Sequence, residues 1–160
     1  MIRFAALASL LLLPGCESKP KPKEEKTMEL ESVKYIGWSE SVSVEGRNIV
    51  HTKIEYEYDN PTSSVPSRQS TKKILDGSVT ADQVAALDKL VRESGFLDLK
   101  DRYGAPEGHR YYPYRIEVTY KGQPKKTVEV RSNPEYEGQP EAFKKVESHL
   151  MKLSESARNK

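Results

Sequence analysis

The groups in this 160-residue chain that could do chemistry are three histidines, one cysteine and a scatter of carboxylates, and their spacing leaves little for them to do together. His51, His109 and His149 stand far apart and have no cysteine near them, so no zinc-ligand spacing is present. Asp98 and Asp101 could form a carboxylate pair, but nothing apolar around them would raise a pKa, and they read as solvated loop acids. There is no Gly-x-Ser-x-Gly elbow, no phosphate-cradling glycine loop and no His-Glu-x-x-His. The expectation is a protein that is not an enzyme and carries no metal or other cofactor.

Recognition is better represented than catalysis. Between Lys100 and Pro113 the chain mixes loop formers with Arg102, Tyr103, His109, Arg110, Tyr111 and Tyr112. Tyrosine and arginine on a loop bring contact area and hydrogen bonds at little entropic cost, as binding surfaces require. The other reading open at this point is a connection whose tyrosines fold back onto a sheet.

The cysteine belongs to a different kind of chemistry. Arg3 gives the N-terminus a positive start, Phe4 to Leu13 form an apolar run, and Pro14-Gly15 end it ahead of polar residues. That run is too short to cross a bilayer, which takes about 20 apolar residues, and fits an export signal instead. The junction Leu13-Pro14-Gly15-Cys16 resembles the bacterial lipobox: Leu13, Gly15 and Cys16 match it, and Pro14 replaces the usual Ala or Ser. The resemblance implies cleavage before Cys16, a diacylglyceryl group on its sulfur and a further acyl chain, such as palmitate, on its amine. Each buried methylene contributes roughly 0.8 kcal/mol, so two or three chains anchor a small domain stably where one would not. The expected partner of this end is therefore membrane lipid, held through acylated Cys16. In lipoproteins an Asp directly after the acylated cysteine signals inner-membrane retention; Glu17 stands there, which favours the periplasmic face of the outer membrane.

Three segments follow from this: a signal peptide over 1–15, the lipidated cysteine and a tether over 16–29, and one domain over 30–155. The start of the tether, Glu17-Ser18-Lys19-Pro20-Lys21-Pro22-Lys23-Glu24-Glu25-Lys26, contains no apolar residue, so it has nothing to bury and reads as a disordered spacer. The formal charge of the whole chain is +2, and removing Arg3 leaves about +1, too small an excess to predict nucleic acid as a partner. An envelope protein or polymer remains the expected class of partner. Hydrophobic residues make up 36% of the chain, so the core must be thin, and nine tyrosines against three phenylalanines supply much of its aromatic area.

The elements that must position these residues are legible from periodicity. Leu30 to Val44 reads as one long or interrupted strand, closed by a turn at Glu45-Gly46-Arg47-Asn48. From Ile49 to Tyr58 the alternation assigns Thr52, Ile54, Tyr56 and Tyr58 to one face and a solvated His51 to the face of Lys53, Glu55 and Glu57. A further strand is expected over Gln69–Asp76. Thr80 and Gln83 have capping-box spacing, Val84, Leu87, Leu90 and Val91 form a helical stripe, and Gly95 supplies a left-handed stop, which predicts a helix over Ala81–Ser94. Tyr114–Tyr120 and Lys126–Arg131 read as a hairpin. Pro140 opens a last helix as its first residue, with Phe143, Val146, Leu150 and Leu153 buried and Ser154–Lys160 fraying. The fold expected is α+β, an antiparallel sheet with two helices on one face.

Over Ser78–Leu153, the capped helix, Ser94-Gly95-Phe96 followed by leucines, the Tyr-containing strand pair and the closing helix with Pro140 and Phe143 resemble the emfourin-type bacterial inhibitors of thermolysin-like proteases and related envelope domains. The resemblance implies a non-catalytic envelope domain, with metalloprotease inhibition as its alternative activity. Ile36-Gly37-Trp38 is the counterpart of that family's glycine-rich N-terminal segment, and no inhibitory residue carries over.

Overall fold

The computed structural model describes residues 28–62 and 67–159. Leu13, Gly15 and Cys16, and the tether up to residue 27, lie outside the described residues. The described elements are β1 (Leu30–Ile36), β2 (Glu40–Glu45), β3 (Asn48–Glu57), β4 (Arg68–Ser78), α1 (Ala81–Glu93), β5 (Arg102–Gly104), β6 (Tyr112–Tyr120), β7 (Lys126–Ser132) and α2 (Glu141–Arg158). The class is α+β, as expected. The strands form one seven-stranded sheet in the order β4-β3-β2-β1-β6-β7-β5. All neighbours are antiparallel except β5, which runs parallel to β7 and makes the sheet mixed.

Both helices lie against the same face. Alternate residues of the central strands point at them: Val33 and Tyr35 from β1, Val42 and Val44 from β2, Ile116 and Val118 from β6, Val128 and Val130 from β7, all buried. Leu87 and Val91 of α1 close the core from above, with Phe143, Val146, Leu150 and Leu153 of α2. Each of these large side chains contributes roughly 1.5–3 kcal/mol by leaving water. The capping box of α1 is formed in full: the Thr80 hydroxyl accepts from the Gln83 amide at 3.2 Å, and the Gln83 side chain accepts from the Thr80 amide at 2.8 Å. Gly95, at φ 78°, then turns the chain into a short 3₁₀ turn that buries Phe96.

Several expectations need correction. The segment Leu30–Val44 reverses direction, since Gly37 N–H donates to the Glu40 carbonyl at 2.8 Å and β1 and β2 form a hairpin. The turn packs against Tyr35 so closely that a Cβ at Gly37 would sit 2.6 Å from the Tyr35 hydroxyl. Pro140 is the residue before α2, and the helix starts one place later, at Glu141.

His51 is buried, only 3% exposed, and Ser154 is completely buried well inside α2, which continues to Arg158. The two errors have one cause. His51 Nδ1 lies 2.7 Å from Ser154 Oγ and its Nε2 lies 2.9 Å from Glu40 Oε2. The odd-numbered face of β3 meets the helices at Ile49 and His51 and runs out beyond them at Lys53, Glu55 and Glu57, so one face is buried at one end and wet at the other. The even-numbered face, with Thr52, Ile54 and Tyr56, belongs to the side of the sheet that carries no helix.

Candidate functional site

That helix-free side carries the most exposed large aromatic of the described residues, Trp38, level with Tyr58 at 48% exposure. Trp38 sits in the β1–β2 turn. Its indole stacks on Tyr56 of β3 with ring centroids 5.7 Å apart, and meets the Tyr112 ring edge-on at 5.3 Å. The Tyr56 hydroxyl donates to the Trp38 carbonyl at 3.2 Å, which fixes the turn to β3. Tyr112 is itself 44% exposed. Three rings from three separate parts of the chain are thus locked in contact, with much of Trp38 and Tyr112 still in water.

The sheet register explains the assembly. Ile36 faces Arg115 on β6 and Ser41 on β2, and Ser41 faces Thr52, so the strand ends carrying Trp38, Tyr56 and Tyr112 converge at one pole. Ser41 and Thr52 share a side-chain hydrogen bond of 2.6 Å on this face. Beside the rings, Ile36, Gly37, Pro113, Arg115 and Glu129 line an open hollow of about 300 Å³. Carboxylates accompany the cations here: Glu117 lies 3.2 Å from Arg115 and 3.0 Å from Lys125, and at the neighbouring sheet edge Arg68 pairs with Glu57 at 3.4 Å.

The loop singled out from sequence divides. Tyr112 joins the aromatic cluster. Tyr111 is half-buried with the Arg131 guanidinium 5.0 Å from its ring, and Arg131 in turn donates to Glu129 at 3.0 Å. The Glu129 carboxylate beside it keeps the Arg131 pKa above its ordinary value. Arg102 pairs with Glu107 at 3.2 Å and approaches Glu129 at 3.8 Å. Tyr103 packs against the core and its hydroxyl accepts from the Lys100 amide at 2.9 Å. His109 contacts the Tyr136 hydroxyl at 2.8 Å, and the Arg110 carbonyl accepts from Asn133 at 2.9 Å. Most of the loop is therefore fastened to β7 and to the turn after it, with only Tyr112 on the aromatic surface. Sequence reasoning missed Trp38 and Tyr56 as site residues. The signal was present in the single tryptophan of the chain, set in Gly37-Trp38-Ser39.

A second polar cluster lies on the opposite face, between the sheet and α2. Glu40, His51 and Ser154 are linked in the order of a Ser–His–carboxylate triad. Here Ser154 is the deepest member and the half-buried Glu40 the outermost, so no substrate carbonyl can reach the hydroxyl and the arrangement cannot attack one. Both ring nitrogens have partners, Glu40 at Nε2 and Ser154 at Nδ1, which makes the trio a strut joining β2, β3 and α2. Tyr35 and Glu147 extend it: burial, then the adjoining carboxylate of Glu147, raises the Tyr35 pKa, and burial raises that of Glu147.

Comparison with protein-family models, with curated proteins and with solved structures finds no match for this chain.

Proposed function

We propose that this chain is a lipid-anchored protein of the bacterial cell envelope whose folded part is a non-catalytic binding module. The anchor is acylated Cys16, and the periplasmic face of the outer membrane is the proposed location. The observation that carries the binding reading is the Trp38–Tyr56–Tyr112 surface. Exposing that much aromatic area is unfavourable in water unless a partner covers it, and rings held rigid before binding lose little entropy when they bind. Trp and Tyr are also the side chains that dominate the energetics of binding surfaces.

The test is capture from an envelope extract by the full-length chain. A Trp38→Ala, Tyr112→Ala double variant should lose the captured partner while its stability stays within about 1 kcal/mol, since both side chains are surface groups. Equal capture by the variant would overturn the assignment of the site. The alternative proposal is inhibition of thermolysin-like metalloproteases, for which the exposed Trp38 in the β1–β2 turn would be the contact. Titration decides it: unchanged protease activity at micromolar protein removes the inhibitor reading.

A further inference from the structure

We propose that the Trp38–Tyr56–Tyr112 surface is a stacking platform for an uncharged saccharide chain, an inference that rests on reading this domain as a binding module. The ring geometry limits what can bind. Centroid distances of 5.7 Å and 5.3 Å mean that Trp38 is in contact with both tyrosines, so no slot is left between rings for a proline or an aliphatic side chain to enter. A partner must lie over the rings. The hollow beside them is open and shallow, lined by Pro113 and Ile36 together with Arg115 and Glu129, so it offers no enclosed pocket for an apolar anchor either.

A ligand that presents a flat C–H face to an aromatic ring and hydroxyls at its rim meets these conditions, and a pyranose ring is such a group. The rim has matching partners. Gln69 faces Tyr56 across the β3–β4 ladder and Thr71 faces Ile54, both exposed on the side of the sheet that carries the rings, and the Ser41–Thr52 pair lies further along it. Amide and hydroxyl groups both donate and accept, as sugar hydroxyls do.

Charge separates this class from the other polymers that stack on aromatic rings. Single-stranded nucleic acid needs a positive groove along its phosphates. Here Glu117 faces both Arg115 and Lys125, Arg68 is paired with Glu57, and the chain as a whole carries only +2, so the cations near the rings sit beside carboxylates and do not line a positive groove. The surface offers the exposed parts of the Trp38 and Tyr112 rings, set at 82° to one another, together with neutral hydrogen bonding, which suits a chain of uncharged sugars.

Trp38 is the only tryptophan, so its emission reports this site alone. The experiment titrates the full-length protein with two soluble probes, the β-1,4-linked tetrasaccharides of glucose and of N-acetylglucosamine, and with a proline-rich decapeptide as comparator. A saturable change in tryptophan emission with at least one tetrasaccharide is expected, with none for the peptide. Tyr112→Ala, which keeps the fluorophore, should weaken the sugar at least about tenfold, and Tyr58→Ala, exposed but outside the ring contacts, should bind as the parent does. Circular dichroism identifies any variant that has lost its fold, and the Tyr58→Ala comparison then carries the site assignment. Silence with both sugars, or a response that Tyr112→Ala leaves intact, overturns the saccharide proposal. A peptide response that depends on Tyr112 also overturns it while leaving the binding module standing; failure of every probe together with failure of envelope capture removes both.

Discussion

Tyr35, Glu147 and Glu40 meet at the seam between the sheet and α2, and the energetics there depend on whether Glu147 holds its proton. Burial raises the Glu147 pKa most, the Glu40 charge adds to the rise, and the Tyr35 hydroxyl opposes it by stabilising the carboxylate. A carboxyl whose folded pKa lies above its unfolded value binds its proton more tightly when folded. Its contribution is therefore fully present below the ordinary glutamate range and is lost as pH rises through the raised folded value. Ionising Glu147 in this seam is thus a cost that grows as pH rises. Glu147→Gln is expected to stabilise the protein by about 1 kcal/mol at pH 7, with the gain shrinking toward zero near pH 4. Urea midpoints of both proteins at the two pH values check this, and a gain of equal size at both would refute the protonation argument. His51 and Ser154 show why such groups are hard to see in a sequence. Local alternation places His51 among lysines and glutamates, and its buried partner lies 103 residues away. Only the docking of α2 creates the environment that both residues occupy.

At the scale of elements, sequence patterns succeed where the determinant is local. The capping box of α1, the buried stripe of α2 and the β6–β7 hairpin each depend on residues a few positions apart, and each forms where expected. The reversal between β1 and β2 escapes because Val33 with Tyr35 and Val42 with Val44 each alternate like strand, the change from odd to even positions between them being easily read as an interruption, and the hairpin depends on Gly37 fitting over Tyr35. The same reversal brings Trp38 to Tyr56, so the candidate site stayed hidden with it. Strand β5 escapes because it is three residues long and pairs in parallel with a strand that comes later in the chain. Its fit depends on Gly104, at φ 85°, where an added Cβ would lie 2.1 Å from the Arg131 carbonyl oxygen. Backbone cannot yield as a flexible side chain can. Gly104→Ala should cost at least about 1–3 kcal/mol and detach β5. Hydrogen exchange gives the specific readout: the Ala105 and Glu129 amides, which donate to Arg131 and Asp101 at 2.9 Å and 2.8 Å, should lose protection before the β1 amides do. Unchanged protection at both would rule out this account of the β5 edge.

Over the whole molecule, the first strand in sequence is the central strand in space, and this bears on how an anchored domain carries load. β1 is hydrogen-bonded on both sides, to β2 and to β6, and Arg92 of α1 donates to the Met28 carbonyl at 2.9 Å just ahead of it. A pull arriving through residues before Met28 is shared between two antiparallel ladders, and the domain has no edge strand at that point to peel away. β1 ends at Ile36, roughly 20 Å from Leu30 at about 3.3 Å per residue, and Trp38 lies in the turn just beyond it. On the proposed anchoring, the tether enters at Leu30, at the opposite end of β1 from the aromatic surface, and Glu17 to Glu29 could reach on the order of 40 Å at full extension. On the same proposal, the acyl chains on Cys16 hold the protein to the membrane; no described helix is long and apolar enough to cross a bilayer. Cys16→Ser removes the sulfur that carries the diacylglyceryl group and leaves the folded domain untouched. The variant should move from the membrane pellet to the soluble fraction after cell fractionation and keep its parent's thermal midpoint. Retention in the pellet at parental levels would show that something other than Cys16 holds the protein to the membrane, and the lipid-anchor proposal would fall.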